Sequence, residues 1–245
     1  MKTSKNTILI TGGATGIGFS LAEEFLKLGN EVIICGRRED KLKEAKEKIP
    51  NIHTIICDTS KEIERVNLFN YVKSNFKDVN ILINNAGIQR VIDLKNPDSL
   101  KGEDEIEVNF KAYIHLSVLF TEYFIKQNKE CAIFNVSSGL GFVPMAMFPI
   151  YCATKAGVHS FSISQRHQLK NTNVKVFEII PPIVDTELDH GRRPIERRGI
   201  NPEEVAKATI DAMENNIFEI TVGMSNNLRN ATGKDFDENF NRMNH

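Results

Sequence analysis

The chain has 245 residues, 41% of them hydrophobic and 26% charged, and its formal net charge is −1. That balance suits one globular α/β domain with a sizeable core. It offers no electrostatic attraction to nucleic acid or to an anionic membrane surface, so small molecules and further copies of the chain are the expected partners.

In chain order, the first apolar run is Ile8 to Ile10, inside a predicted strand over 6–11. Only three residues long before threonine and glycines interrupt it, the run is too short for a signal peptide or a membrane span. A cytoplasmic protein without a span is the expectation. Further strands are predicted over 31–36, 52–57, 80–84, 131–136, 174–180 and 217–223, most of them apolar nearly throughout, as strands covered on both faces should be. Helices alternate with them. Over 17–28, Ile17, Leu21, Ala22, Phe25 and Leu28 share one face, and 39–48 is mostly charged. Segment 201–215 opens with Asn201 as a cap, Pro202 in the first helical position and Glu204 placed to complete a capping box. Residues 225–245 are polar, with Phe236, Phe240 and Met243 at helical spacing, a stripe too sparse for a core of its own and suited to docking on a neighbour. With no repeat or linker, residues 1–245 read as a single doubly wound α/β domain.

Cys35, Cys57, Cys131 and Cys152 form no C-x-x-C pair and no zinc-like spacing with histidine, and the six histidines make no H-E-x-x-H. Free thiols and no metal site are expected.

The first strand runs directly into Thr11–Gly18, TGGATGIG, and then into a helix. Gly12 allows the sharp turn, Gly16 lets the backbone approach a diphosphate, and Gly18 lets the helix pack closely. Thr15, Gly16 and Ile17 bring the unpaired N–H groups of the helix start to the phosphates. At the end of the second strand an acid would take the ribose hydroxyls of NAD. Gly36 stands there instead, followed by Arg37 and Arg38, which favours the 2′-phosphate of NADP.

Tyr151 and Lys155 are four apart in a helical segment and so share a face. A phenol with a pKa near 10 relays protons at neutral pH only if its anion is stabilised, which a neighbouring ammonium can do. Ser137 and Ser138 end the fifth strand at the carboxyl edge of the sheet, where open α/β folds bind ligands, and either could hydrogen-bond a carbonyl oxygen.

Together these motifs resemble the short-chain dehydrogenase/reductase family: TGxxxGxG as Thr11–Gly18, NNAG as Asn84–Gly87, a serine thirteen residues before the tyrosine as Ser138, and YxxxK as Tyr151 and Lys155. The resemblance extends to about residue 223. It implies a Rossmann-type, mostly parallel seven-stranded sheet in the order 3-2-1-4-5-6-7 with helices on both faces. It implies Tyr151 as acid/base, Lys155 on the nicotinamide ribose, Ser138 on the substrate carbonyl and Asn109 supporting a water relay. It further implies Asp58 at the adenine, Asn85 and Gly87 along the cofactor, and Val184 and Thr186 at the carboxamide. The expected activity is hydride transfer between NADP(H), less so NAD(H), and a carbonyl or alcohol, in a homodimer or homotetramer built on helices around 103–126 and 150–170. A cofactor-sensing regulatory protein on the same fold is the alternative, and the short glycine spacing disfavours a sugar-nucleotide epimerase or dehydratase.

Val143, Met145, Met147 and Phe148 either line the substrate pocket, implying a substrate with an apolar body, or serve packing. The resemblance places a substrate flap over 186–200, where Arg192, Arg193, Arg197 and Arg198 are either a solvated cluster or a site for an anionic head group. Pro181 and Pro182 close the sixth strand where the family has Pro-Gly, which fixes φ near −65° twice and predicts a stiff floor under the nicotinamide.

Overall fold

The computed structural model describes residues 1–101, 104–189 and 199–244. Seven strands form one sheet: β1 (Thr7–Thr11), β2 (Glu31–Gly36), β3 (His53–Ile56), β4 (Val79–Asn84), β5 (Cys131–Val136), β6 (Val174–Ile180) and β7 (Glu219–Thr221). Every pairing is parallel and the order is β3-β2-β1-β4-β5-β6-β7. The eight helices among the described residues are α1 (Gly16–Lys27), α2 (Glu39–Lys48), α3 (Glu62–Asn75), α4 (Ala112–Ile125), α5 (Pro149–Leu169), α6 (Pro202–Asn215), α7 (Ser225–Asn230) and α8 (Lys234–Asn244).

Alternation along each strand explains the two layers of helices. Ile8, Ile10, Ile81, Ile83 and Phe134 point to one side, where Leu21, Phe25, Leu42, Val205 and Met213 of α1, α2 and α6 cover them. Leu9, Leu82 and Ile133 point to the other, against Leu68 and Val72 of α3, Leu116, Phe120 and Phe124 of α4 and Leu169 of α5. Central strands therefore need apolar residues on both faces, which is why β1, β4 and β5 are buried at every position. Strand β3 departs from that pattern, alternating half-buried His53 and Ile55 with exposed Thr54 and Ile56. It lies at the sheet edge, where one side has no strand to cover it.

The capping box of α6 is present in full. Of the stripe on 225–245, Phe236 and Phe240 stack on each other, while Met243 docks onto the chain itself, joining a cluster with Leu140, Phe148, Tyr151 and Cys152. Asn244 fastens the same contact, its Oδ1 accepting from Ala146 N at 2.5 Å and its Nδ2 donating to Pro144 O at 3.1 Å. All four cysteines are buried free thiols. Among the described residues no helix is long and apolar enough to cross a membrane, and no group of His, Cys, Asp or Glu could hold a metal ion.

Candidate active site

The order reverses between β1 and β4, and a cleft of about 470 Å³ opens over their carboxyl ends. Its walls come from the turn before α1, the end of β2, Asp58 and Thr59 after β3, Asn85–Ile88 after β4, Ser137, Tyr151, Lys155, Pro181 and the run from Thr186 to Leu188. Crevices at such reversal points are where open α/β sheets bind ligands, because the loops on either side diverge.

The glycine turn is held from two sides. Gly12 has φ +64, and a Cβ there would stand 2.8 Å from Ala86 Cα. A Cβ on Gly18 would meet Gly12 O at 2.4 Å and Asn85 Nδ2 at 2.5 Å, so Gly18 packs the helix onto the turn itself. The Thr11 hydroxyl accepts from Asn85 N at 2.9 Å and Ala86 N at 3.1 Å, while Asn85 Nδ2 donates to Thr11 O at 2.9 Å and Gly12 O at 3.0 Å. The Thr15 side chain makes no cap bond to the first turn of α1, and no acidic residue stands in that turn. This end of the helix suits an anion.

At the far end of the cleft, Arg37 and Arg38 line the rim as the sequence predicts. Asp58 lies beside them, its Oδ1 accepting from Ser60 N at 3.0 Å and Ser60 Oγ at 2.8 Å. Burial pushes this carboxyl up, but the two Ser60 bonds and the charges of Lys61 and Arg37 outweigh it, and its pKa is lowered overall.

The reactive end is built on α5. Pro149 begins that helix and Tyr151 and Lys155 follow on one face, both buried. Lys155 Nζ donates to Val136 O at 2.7 Å and lies over the Tyr151 ring at 5.6 Å and the Tyr113 ring at 5.2 Å. Burial lowers the lysine pKa from 10.5 to about 7. The same enclosure pushes the Tyr113 phenol well above its ordinary value. Asn109 sits in a π-helical turn, Glu107–Lys111, fully buried. Its Oδ1 accepts from Ile88 N at 2.9 Å, and its Nδ2 donates to Ile88 O at 2.8 Å and to Thr154 Oγ1 at 3.3 Å. Asn109 thus ties the segment after β4 to α5. Gly87 completes the junction, since a side chain there would start 3.4 Å from Asn109 Oδ1 and 3.8 Å from Lys155 Nζ.

Of the residues named from sequence, Gly12, Thr15, Gly16, Ile17, Arg37, Arg38, Asp58, Asn85, Gly87, Tyr151, Lys155 and Thr186 line the cleft. Four do not. Gly18 and Asn109 lie behind the wall they support. Ser138, 5% exposed, accepts from Leu140 N through Oγ at 3.1 Å and caps the short turn Gly139–Gly141. Val184 packs into the α1/α6 side of the core and bridges to Ile200. Ser137 is the serine on the wall; its hydroxyl donates to buried Glu178 at 2.5 Å.

Segment 139–150 resolves largely as packing: Val143 is fully buried, Phe148 lies in the cluster under α8, and Met147 is 43% exposed. Leu188 joins that cluster and also lines the cleft, giving the Tyr151 end one apolar wall. Arg192, Arg193, Arg197 and Arg198 lie outside the described residues.

A family model for short chain dehydrogenase matches residues 6–197. The chain belongs to that family. It is 48% identical over 249 residues, covering 100% of the chain and 98% of the relative, to the uncharacterized oxidoreductase DltE of Bacillus subtilis. An uncharacterized oxidoreductase of Staphylococcus saprophyticus is 30% identical over 223 residues, with 87% and 95% covered. Among solved structures, the fold matches a short chain dehydrogenase/reductase from Burkholderia phymatum in complex with NAD (TM-score 0.84, 20% identity, 100% and 97% covered). It also matches a short chain dehydrogenase from Burkholderia cenocepacia in complex with NADP (TM-score 0.82, 24% identity, 99% and 99% covered). Both support the doubly wound fold.

Three participants in the site carry no motif. Tyr113 lies four residues after Asn109 and was readable only as an apolar helix position. Thr59 lines the cleft next to Asp58, and Glu187 lines it through a contact with distant Arg38 for which the local sequence holds no signal.

Proposed function

We propose that the protein is an NADP(H)-linked oxidoreductase acting on a carbonyl or alcohol, with Tyr151 as the acid/base. The observation that carries this reading is one cleft with an anion-ready helix start and two arginines at one end and a buried Tyr151–Lys155 pair at the other. A dinucleotide with an extra phosphate on its adenosine end fits that distribution of charge. Gly12, Thr15, Gly16, Ile17 and Gly18 would hold or shape the diphosphate site, Arg37, Arg38 and Asp58 the adenosine, and Asn85, Gly87, Val184 and Thr186 the nicotinamide half.

When bound, the nicotinamide supplies or accepts the hydride. Tyr151 gives its phenolic proton to the alkoxide that develops in reduction and takes one in oxidation. In its protonated form Lys155 stabilises the tyrosinate by charge, its Nζ lying over the Tyr113 and Tyr151 rings while Val136 O fixes its direction. Asn109 keeps α5 in register with the cofactor segment. Ser138 is assigned the substrate carbonyl, for which its hydroxyl would exchange the Leu140 amide. Pro181, on the cleft wall, and Pro182 stiffen the floor. Exposed Ile106, Val118 and Ile163 on and near α4 and α5 support assembly as a dimer or tetramer through those helices. The cytoplasm is the proposed location.

The test is NADPH oxidation across a diverse carbonyl panel, with Tyr151→Phe as the blank. The variant should lose about 10²–10⁴-fold in kcat and keep its NADPH affinity. Retained turnover refutes the role of Tyr151. Cofactor binding with no turnover on any carbonyl would favour the cofactor-sensing reading instead.

A further inference from the structure

Glu187 stands 149 positions from Arg38 in the chain, yet Arg38 Nη1 donates to its Oε2 at 2.8 Å. Lys41 Nζ, on the first turn of α2, lies 3.7 Å from the other carboxylate oxygen and is itself paired with Glu44 at 2.9 Å. Arg38 Nη2 donates in addition to Thr15 Oγ1 at 3.3 Å. Thr15, Arg37, Arg38 and Glu187 all line the cleft. Two cations thus converge on one anion at the rim, with Thr15 beside them, in the arrangement that holds a phosphate oxygen cluster.

Stability does not account for this pair. Arg38 and Glu187 side chains are 48% and 51% exposed, and exposed pairs contribute little to folding. The Arg38 hydrogen bond nevertheless holds the Glu187 carboxyl below the usual range, so the anion is present at neutral pH. Its neighbours connect it to both ends of the site. Thr186 packs on Gly16, where a Cβ would come within 2.9 Å of the threonine methyl, and Leu188 packs in the cluster that holds Tyr151.

We propose that Glu187 is an internal competitor for the adenosine phosphate, filling the Arg38–Lys41–Thr15 subsite until a 2′-phosphate displaces it. The inference rests on the NADP reading above and adds Lys41 and Glu187 to it. A phosphate dianion outcompetes a carboxylate for a guanidinium and an ammonium. NAD, with hydroxyls only, leaves the pair closed. Displacement releases the residue that joins Thr186 at the diphosphate turn to Leu188 at the Tyr151 wall, so the adenosine end is read at the substrate end.

Dissociation constants for NADPH, NADH, 2′,5′-ADP and 5′-AMP, measured by calorimetric titration on the wild type and on Glu187→Gln, Lys41→Met and Arg38→Ala, test the proposal. Glu187→Gln removes the charge and keeps the shape. It should tighten NADPH and 2′,5′-ADP by about three- to fivefold, the upper part of the range expected when one exposed competing ion pair is removed, and leave NADH and 5′-AMP within about twofold. Lys41→Met should weaken only the two ligands that carry a 2′-phosphate, NADPH and 2′,5′-ADP. If Arg38→Ala weakens NADPH but Glu187→Gln changes nothing, weakens NADPH, or moves all four ligands alike, the competitor role is refuted and the cofactor reading stands. If the wild type binds NADPH no more tightly than NADH and Arg38→Ala is silent, both are refuted.

Discussion

Lys155→Met separates the electrostatics of the site from its chemistry. The lysine is 3% exposed, and burial brings its pKa from 10.5 to about 7. At about 1.4 kcal/mol for each tenfold change in proton affinity, holding the charged amine inside costs the fold on the order of 4–5 kcal/mol below pH 7. Between about pH 7 and 10.5 the unfolded chain still holds the proton and the folded chain does not, so stability rises with pH across that window. By pH 9 the cost falls to roughly 2 kcal/mol. Methionine fills the same channel without charge, but it leaves Val136 O without its donor, a loss of about 1–3 kcal/mol. The variant should therefore be more stable than the parent by about 1–4 kcal/mol at pH 6, with that advantage shrinking by roughly 2–3 kcal/mol at pH 9. Urea unfolding of both proteins at the two pH values, without cofactor, measures the difference from the midpoints at constant slope. Equal differences at pH 6 and pH 9 would show an amine that titrates as if solvated, and the account of Lys155 would fall with it.

Gly18→Ala should destabilise the fold by about 1–3 kcal/mol, since its methyl group meets backbone oxygen at 2.4 Å, and a thermal melt would detect it. An unchanged melting temperature would mean the turn relaxes freely. Arg37→Asp should weaken NADPH at least tenfold, roughly 1.4 kcal/mol, and spare NADH, read by fluorescence titration. Pro182→Gly should preserve the melting temperature to within a few degrees and weaken NADPH about two- to threefold, less than 1 kcal/mol, by restoring freedom to the floor. Unaltered affinity would count against a stiffened floor.

The sheet was legible because its physics is local. Buried parallel strands must be apolar on both faces, so β1, β4, β5 and β6 announce themselves, and Asn201, Pro202 and Glu204 place the start of α6 to within a residue. Strand β3 is shorter than its apolar run because Ile52 and Cys57, though buried, lie beyond the four residues paired with β2. The glycine turn and the Tyr151–Lys155 pair were legible for the same reason, each being a short segment whose spacing sets its geometry. Contacts between distant segments were not. The π-helical turn around Asn109 leaves no compositional trace, and nothing near Ser137 or Ser138 says that the first hydroxyl bonds Glu178 while the second caps a turn. The salt bridge between Arg38 and Glu187, 149 positions apart, is invisible to any local window of sequence. The same applies to α8, whose stripe was readable as a docking face while its partner, the 144–152 stretch, was not.

The cross-ties between Thr11, Gly12, Asn85 and Ala86 join residues 73 to 75 positions apart, so the glycine turn, already bonded to Cys35 O of β2, is fully tied down when β4 has docked beside β1. The first βα unit has the loop but lacks the wall it leans on, and the second half has Tyr151 and Lys155 without a phosphate cradle. Neither half is a nucleotide-binding module in its own right. The cleft is a product of long-range closure: its lining runs from Gly12 to Leu188, so it is assembled only when the sheet is nearly complete.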